Sequence, residues 1–494
     1  MANEQMTNEW TVDTVLKATG GELLAKGKKQ SFLGISTDSR TLRPGELFLA
    51  LVGESFDGHQ FVEQAASSGA AGVVVALKQA ETLDTQALQI PVIGVSDTLR
   101  AFGDLASFWR GRYSIPVVAI TGSNGKTTTK EMVATILSRS WKVLKNHGTF
   151  NNLVGVPLTL LQLDITHEAA VLEMGMNQPG EIERLTEIVQ PSVGMITNIQ
   201  PAHLEGLGDL DSIQAAKGTL FAGMAATGTI VVNRDDPRVL NEASRFPGRQ
   251  VRFSSTGEPA EVSLERVLGV DGEGSRFLLS LPEETLEIRL PVLGLHHIKN
   301  ALAAVAVAWA LNLPASTIVT ALNNFQAVDK RMEVLTLPGD IHLINDTYNA
   351  NPGSMAAALE TLMQVKQQGR ALAVLADMLE MGEESAALHQ QVGRIAAKEG
   401  VDHLLAMGKQ ASHLLAGAAE GGMTRDQLTE AVNHEDIATQ VHALLAAGDW
   451  VLVKGSRAMR MEKVVEALIE LCGGSKVCTA GGEAKQPLEV KCLK

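Results

Sequence analysis

Cysteine is nearly absent from this chain. Its 494 residues include three, Cys472, Cys478 and Cys492, all in the last stretch. So few, so placed, cannot build a disulfide framework or a closed zinc site. An excess of positive charge is also missing. Against 56 acidic side chains stand 42 basic ones, a formal net charge of −14. That balance argues against sequence-independent binding to a nucleic-acid backbone while leaving room for a locally basic pocket. Long apolar runs are lacking too: the longest, Ala301 to Leu311, falls far short of the ~20 residues of a membrane span. Met1 to Glu9 is polar and precedes ordinary periodic sequence, so no secretory signal is expected there. What is present is a globular composition, 45% hydrophobic and 20% charged, long enough for two to four domains. A soluble protein of a reducing, cytoplasmic compartment is the expectation.

Short β-branched runs alternate with amphipathic helical stretches almost throughout, the pattern of an α/β protein with largely parallel sheets. Three blocks are expected. The first, residues 1–113, holds strands at Leu47 to Val52, Gly72 to Leu77 and Pro91 to Val95. The second, 114–327, opens with the strand Pro116 to Ile120 and continues through Ala170 to Met174, Val193 to Asn198 and Thr229 to Asn233. A hairpin-like pair near 275–292 and a helix-rich stretch from His296 to Phe325 complete it. The third, 328–472, starts at Ile341 to Ile344 and repeats βα units at Ala371 to Leu375, Leu404 to Met407 and Trp450 to Val453. The glycine-bearing tail, 473–494, has no periodic face and is expected to lack structure.

The strongest local signal is Ile120-Thr-Gly-Ser-Asn-Gly-Lys-Thr-Thr-Thr129, between an apolar strand and a helix carrying Met132, Val133, Ile136 and Leu137. A glycine-rich turn there aims backbone N–H groups and a helix N-terminus at a phosphate chain. Lys126 would reach the β- and γ-phosphates, and the Thr127 hydroxyl would ligate Mg²⁺. The usual phosphate-loop spelling has a further glycine where Ile120 stands, so Gly122 supplies a shorter turn. Glu173 and His203 follow at strand ends, and their oxygen and nitrogen donors suit a divalent ion held against a triphosphate. Taken alone, a strand-end glutamate is usually solvated, a loop histidine usually ligates nothing, and Lys217 reads as a surface lysine. Asn233-Arg-Asp-Asp236 is similar to the guanine-reading element of GTPase switches. A switch also needs Asp-x-x-Gly between that element and the loop, and the one such spelling after the loop, Asp271 to Gly274, lies beyond both.

Taken together, these segments resemble the Mur ligases, ATP-dependent amide-bond-forming enzymes of peptidoglycan synthesis, from about Ser36 to about Leu468. The resemblance implies a three-domain architecture: an N-terminal domain for a UDP-linked substrate, a central parallel-sheet domain of phosphate-loop type, and a C-terminal Rossmann-like domain for the acceptor. It implies that Gly122, Ser123, Asn124, Gly125, Lys126, Thr127 and Thr128 form the ATP loop. Glu173 and His203 match magnesium ligands, and Lys217, in Ala216-Lys-Gly218, matches a lysine that is carbamylated to hold a second ion. Asn300, closing Gly294-Leu-His-His-Ile-Lys-Asn300, matches a residue that faces adenine. Arg331 matches an ATP-contacting arginine, and Asp346 in Asp346-Thr-Tyr-Asn-Ala-Asn-Pro352 a residue near the ribose. Ser36, Asp38, Ser39 and Arg40, with Asp57 and His59, look like the segment that binds the UDP-linked substrate.

Within the family, Tyr348, Asn349 and Asn351, together with Ala376-Asp-Met-Leu-Glu-Met-Gly382, resemble the branch that adds a dipeptide. The Asp-Asn-Pro-Arg motif of the branch adding the third amino acid is not found. The substrates so implied are a UDP-N-acetylmuramoyl tripeptide and D-alanyl-D-alanine, with ATP and two Mg²⁺ ions, in a monomer. Five positions depart from the family pattern: Thr219 for Glu, His297 for Asn, Lys330 for Gly, Asn345 for an acidic residue and Ala376 for Gly. The chemistry agrees with the resemblance. A carboxylate becomes an acyl donor only when phosphorylated, and crowding it against a triphosphate demands fixed cations. Lys126 and Arg331 are cations already; a bare Lys217 ammonium beside Mg²⁺ would repel it, whereas its carbamate would be an oxygen ligand.

Overall fold

The β-branched runs become the interiors of three principal sheets. A computed structural model describes residues 10–53, 56–148, 150–202 and 204–473. The chain divides into two compact units, Met1–Gln326 and Ala327–Lys494.

The first unit carries two of these sheets and a small antiparallel pair, Trp10–Thr11 with Ser31–Phe32. The five-stranded sheet runs in the order Glu22–Ala25, Val92–Val95, Gly72–Ala76, Leu47–Leu49, Ile35–Ser36, parallel except for its first strand. Its central strands are buried on both faces, which is why they read as unbroken apolar runs rather than alternating ones. Aromatic side chains gather at the helix Thr98–Arg110. Trp10 stacks on Trp109 at 5.0 Å, and Trp109 Nε1 and the Tyr113 hydroxyl both donate to the Leu163 carbonyl, at 2.9 and 3.0 Å.

The nine-stranded sheet has the order Thr285–Leu290, Gly274–Ser280, Val262–Asp271, Arg249–Ser254, Thr229–Asn233, Val193–Ile196, Val117–Thr121, Ala169–Glu173, Val143–Lys145. Its last seven strands are parallel, and the first three form an antiparallel meander at one edge. Val117–Thr121 therefore lies between two strands that come later in the sequence. In such sheets the crevice at this reversal, outside the carboxyl ends of the strands, is where ligands bind. Register aligns those ends: Ile120 pairs with Glu173 on one side and Thr121 with Ile196 on the other.

The second unit is a six-stranded sheet in the order Glu333–Leu337, Ile341–Asp346, Trp450–Lys454, Ala371–Ala376, His403–Met407, Leu428–Ala431. All pairings are parallel except that of the first strand. Leu343, Leu372, Val374, Leu405, Val451 and Val453 pack one side of it against Ile437, Val441, Val464 and Leu468 of covering helices.

Several expectations need correction. The third block's sheet begins at Glu333, not Ile341: Glu333–Leu337 is an edge strand whose antiparallel hairpin with Ile341–Asp346 turns through Gly339 and Asp340. The run expected as a strand from Leu47 to Val52 stops at Leu49. Val143–Lys145 and Arg249–Ser254 are strands the sequence reading passed over. The tail from 474 on, with Cys478 and Cys492, lies outside the described residues. No described helix is long and apolar enough to cross a membrane.

Candidate active site

The turn after Val117–Thr121 needs backbone that only glycine adopts easily. Gly122 sits at φ +143° and Gly125 at φ +80°. A Cβ on Gly122 would lie 2.0 Å from Thr197 Oγ1, and one on Gly125 would lie 2.3 Å from Asn300 Oδ1. The helix Lys126–Leu137 starts directly after Gly125, so its first N–H groups open toward the turn. Lys126 Nζ folds back to the Gly122 and Ser123 carbonyls, at 2.8 and 3.2 Å. Lacing from the far strand end fixes the loop. Ser123 N donates to the Asn198 carbonyl, Asn124 N to Asn198 Oδ1, and Ser123 Oγ to the Gln200 carbonyl, at 2.9, 3.0 and 2.7 Å. Thr197 Oγ1 and Asn198 Nδ2 both donate to the Asn124 carbonyl. Thr128 is buried on the helix's inner face. Thr197, Asn198 and Gln200 are loop-shaping residues that sequence reasoning missed; their one signal is a polar run following an apolar strand.

Glu173, 3% exposed, is aimed at the loop. Its Oε2 accepts from the Thr127 hydroxyl at 2.7 Å and its Oε1 from Asn151 Nδ2 at 2.8 Å. A hydroxyl and a carboxylate so joined are hard oxygen donors of the kind Mg²⁺ takes. His203 lies outside the described residues, and among the described residues no three His, Cys, Asp or Glu side chains form a metal cluster by themselves.

Lys217 is not the surface lysine its helical setting suggests. It is 2% exposed on the helix Leu210–Gly223. Burial first, and the nearby Lys126 ammonium second, push its amine well below the usual lysine range. The neutral amine thus favoured is the form that can add carbon dioxide, and the adduct would replace a like-charge encounter with an attractive one. This donor chemistry fits the magnesium and carbamate expectation. Thr219, which stands where the family pattern has Glu, donates to the Ala216 carbonyl within its own helix at 2.7 Å. His297 is buried and its Nδ1 lies 2.6 Å from the Leu293 carbonyl.

The N-terminal segment is a set of local clamps. Asp38 holds Arg40 by Nε and Nη2, at 2.9 and 2.7 Å, and the Arg40 side chain in turn keeps the carboxyl below the ordinary aspartate range. Ser36 Oγ accepts from Asp38 N at 3.3 Å, and Ser39 is half-buried beside it. Asp57 caps the turn at Gly58–Phe61. His59, expected to bind substrate, is buried with both ring nitrogens engaged: Nδ1 with Asp57 at 2.6 Å, and Nε2 accepting from Ala76 N at 2.9 Å. Its ring therefore holds Asp57 in place. Asp57, partly exposed, is the member of the pair open to solvent.

In the second unit, Asp346 and Lys454 pair at 2.5 Å, and Lys454 Nζ also donates to the Asn349 carbonyl at 2.9 Å. Arg331 lies over the Tyr348 ring, 3.9 Å from its centroid. Asn349 is exposed, whereas Asn351 is buried and caps the helix Pro352–Val365 through a reciprocal pair with Ser354. Asn345, a departure from the family pattern, donates to Glu333 across the hairpin at 2.9 Å. Sequence reasoning missed Lys454, although a lysine ending an apolar strand is an identifiable signal.

The guanine-reading alternative has no side chains to spare. Asp235 accepts from Ser254, Ser255 and Thr256 hydroxyls, and Asp236 accepts from Ile199 N and caps the next helix. Asn233 donates to the Thr197 carbonyl.

Family models match three stretches of the chain: "Mur ligase family, catalytic domain" over 31–110, "Mur ligase middle domain" over 120–308, and "Mur ligase, glutamate ligase domain" over 330–457. The UDP-N-acetylmuramoyl-tripeptide–D-alanyl-D-alanine ligase of Escherichia coli K12 is 38% identical over 463 residues, covering 93% of this chain and 98% of its own. A crystal structure of MurF from Acinetobacter baumannii superposes with a TM-score of 0.85 at 34% identity, over 94% of this chain and 99% of that one. MurF ligase from Thermotoga maritima in complex with ADP gives 0.80 at 26% identity, over 89% and 98%.

Proposed function

The chain belongs to the Mur ligase family, and from that premise we propose that it joins D-alanyl-D-alanine to a UDP-N-acetylmuramoyl tripeptide at the expense of ATP, in peptidoglycan precursor synthesis. The tripeptide carboxylate attacks the γ-phosphorus, giving an acyl phosphate and ADP. The dipeptide amine then attacks the acyl carbon, phosphate leaves, and the amine proton passes to solvent or phosphate. Residues 122–128 hold the triphosphate, and Lys126 offsets its charge. Thr127, Glu173, His203 and carbamylated Lys217 would hold two Mg²⁺ ions, which neutralise phosphate oxygens when bound. Asn300, Arg331 and Asp346 are assigned to the nucleotide. Ser36, Asp38, Ser39, Arg40 and Asp57 are assigned to the UDP-linked substrate, with His59 acting through the Asp57 it holds, and Tyr348, Asn349 and Asn351 to the acceptor. The corresponding division is 1–113, 114–327 and 328–472, acting as a monomer in the cytoplasm without nucleic acid.

One observation carries this reading furthest. A buried lysine, Lys217, lies near the phosphate-loop lysine, and as a carbamate it would meet both that ammonium and a metal ion with opposite charge. The test is ADP release across paired substrates. D-alanyl-D-alanine with the UDP-muramoyl tripeptide should support turnover. Lysine or diaminopimelate with the UDP-dipeptide should not, because a charged acceptor side chain needs a fixed partner and a mismatch leaves buried polar groups unpaired. The reverse result would overturn the acceptor assignment and leave the ligase chemistry standing.

A further inference from the structure

The strand beside Glu173 stops too early. Val143–Lys145 pairs with Ala169, Ala170 and Val171, and the ladder ends there, two residues short of Glu173. The next residue, Asn146, is 1% exposed and does with its side chain what a strand would do with backbone. Its Oδ1 accepts from Glu173 N at 2.9 Å and its Nδ2 donates to the Glu173 carbonyl at 2.8 Å. Nδ2 also donates to the Phe150 carbonyl at 2.7 Å. An asparagine amide has two N–H donors, and both are engaged here along with the oxygen.

A backbone ladder could satisfy Glu173 but could not also reach Phe150. That second contact closes the turn leading to Asn151, whose amide holds Glu173 Oε1. Asn146 is itself held from the phosphate-loop helix. Lys130, fully buried, donates to the Asn146 carbonyl at 2.6 Å and is paired with Glu131 at 3.0 Å. Glu131 is paired in turn with Lys145. A buried ammonium is tolerated only with such partners. The Asn146 side chain thus ties together the end of one strand, the loop after it and the backbone of Glu173, while its main-chain carbonyl, through Lys130, joins them to the helix that begins with Lys126 and Thr127.

We propose that Asn146 is a positioning residue for the reaction: by fixing both the backbone of Glu173 and the loop bearing Asn151, it sets the direction of the Glu173 carboxylate and so its affinity for a divalent cation. This rests on the reading of Glu173 as a metal ligand. Groups that orient metal ligands typically change affinity about 10–100-fold when removed.

The test is titration of the full chain with Mn²⁺ in the presence of ADP, followed by electron paramagnetic resonance, with thermal melts alongside. Asn146→Ala should raise the apparent Mn²⁺ dissociation constant about tenfold or more, and Asn146→Ser, the milder change, should raise it less. A cooperatively melting Asn146→Ala or Asn146→Ser protein that binds Mn²⁺ as wild type does overturns the proposal. So does loss of cooperative melting in both variants, which makes Asn146 a residue of the fold alone. Glu173→Gln separates the two readings. If it abolishes Mn²⁺ binding while the Asn146 variants do not weaken it, positioning is wrong and the ligand reading stands. If Glu173→Gln binds Mn²⁺ unchanged, the ligand reading itself fails.

Discussion

Asp346 and Lys454 end adjacent parallel strands as register partners, and the Lys454 ammonium sits 2.5 Å from the Asp346 carboxylate with both side chains largely out of solvent. The pair also fixes the chain beyond it, because the same ammonium holds the Asn349 carbonyl. Removing one member leaves the other charged and buried, a change of about 3–5 kcal/mol. Lys454→Met should therefore destabilise the second unit by about 3 kcal/mol or more. A double variant, Lys454→Met with Asp346→Leu, should recover part of that loss. Denaturant unfolding of the single and double variants measures both.

Lys126→Ala should abolish ligase turnover and leave the melt unchanged. The side chain is only partly buried and crosses the loop carbonyls rather than the core. Loss of such a charge contact costs on the order of 10²-fold or more in rate. Near-normal ADP release from the folded variant would refute the phosphate-loop assignment.

Gly122→Ala should weaken nucleotide binding sharply. A β-carbon there meets Thr197 Oγ1 at 2.0 Å in a left-handed backbone conformation, so the loop or the Thr197 strand end must shift. Calorimetric titration with ADP should show at least a tenfold weaker constant, about 1.4 kcal/mol.

Lys217 should carry a carboxyl adduct on its side-chain nitrogen. Protein equilibrated with ¹³C-bicarbonate should show a carbamate carbon resonance that Lys217→Ala lacks, and that variant should lose about 10²-fold in rate. Absence of the resonance in active wild-type protein would remove the carbamate from the mechanism.

His389 should make the second unit acid-sensitive. The ring is fully buried, with Nε2 accepting from Met378 N at 2.8 Å and Nδ1 lying 2.6 Å from the Ser385 carbonyl. The neutral tautomer is the one that fits. Burial pushes its affinity for a proton below that of an ordinary histidine, so the unfolded chain binds more protons in that window. Stability then rises with pH between the folded value and about 6.5, the value of a free histidine, and falls as pH drops through the same range. Melts from pH 7.5 to 5.5 should show a steeper decline for wild type than for His389→Gln.

The phosphate loop was legible because two local signals agree: an apolar β-branched strand, then glycines and a lysine at fixed offsets before an amphipathic helix. Glu173 stood out by its place at a strand end behind the loop, and Lys217 only through family resemblance. Their burial comes from strands and helices brought together across long separations, such as the 46 residues between Thr127 and Glu173. Asn146 and Asn198 escaped notice for the same reason, since an asparagine after a strand reads as a turn residue until its partners are known. His59 shows the opposite failure. A polar residue in a motif read as substrate-binding, yet both its ring nitrogens serve the protein. Glu333–Leu337 was passed over because its short, half-exposed stretch, broken by Thr336, lacks the continuous apolar run of a central strand.

The insertion of Val117–Thr121 between later strands also orders events during synthesis. Ser123 and Asn124 depend on Asn198 and Gln200, partners 74 to 77 residues downstream. At ordinary elongation rates that interval lasts about 4–15 s. Throughout it the emerging chain carries the residues of the phosphate loop without the groups that shape them. Nucleotide capture is thus a late event in the birth of this protein, and a chain stalled before Asn198 has the motif but not the site.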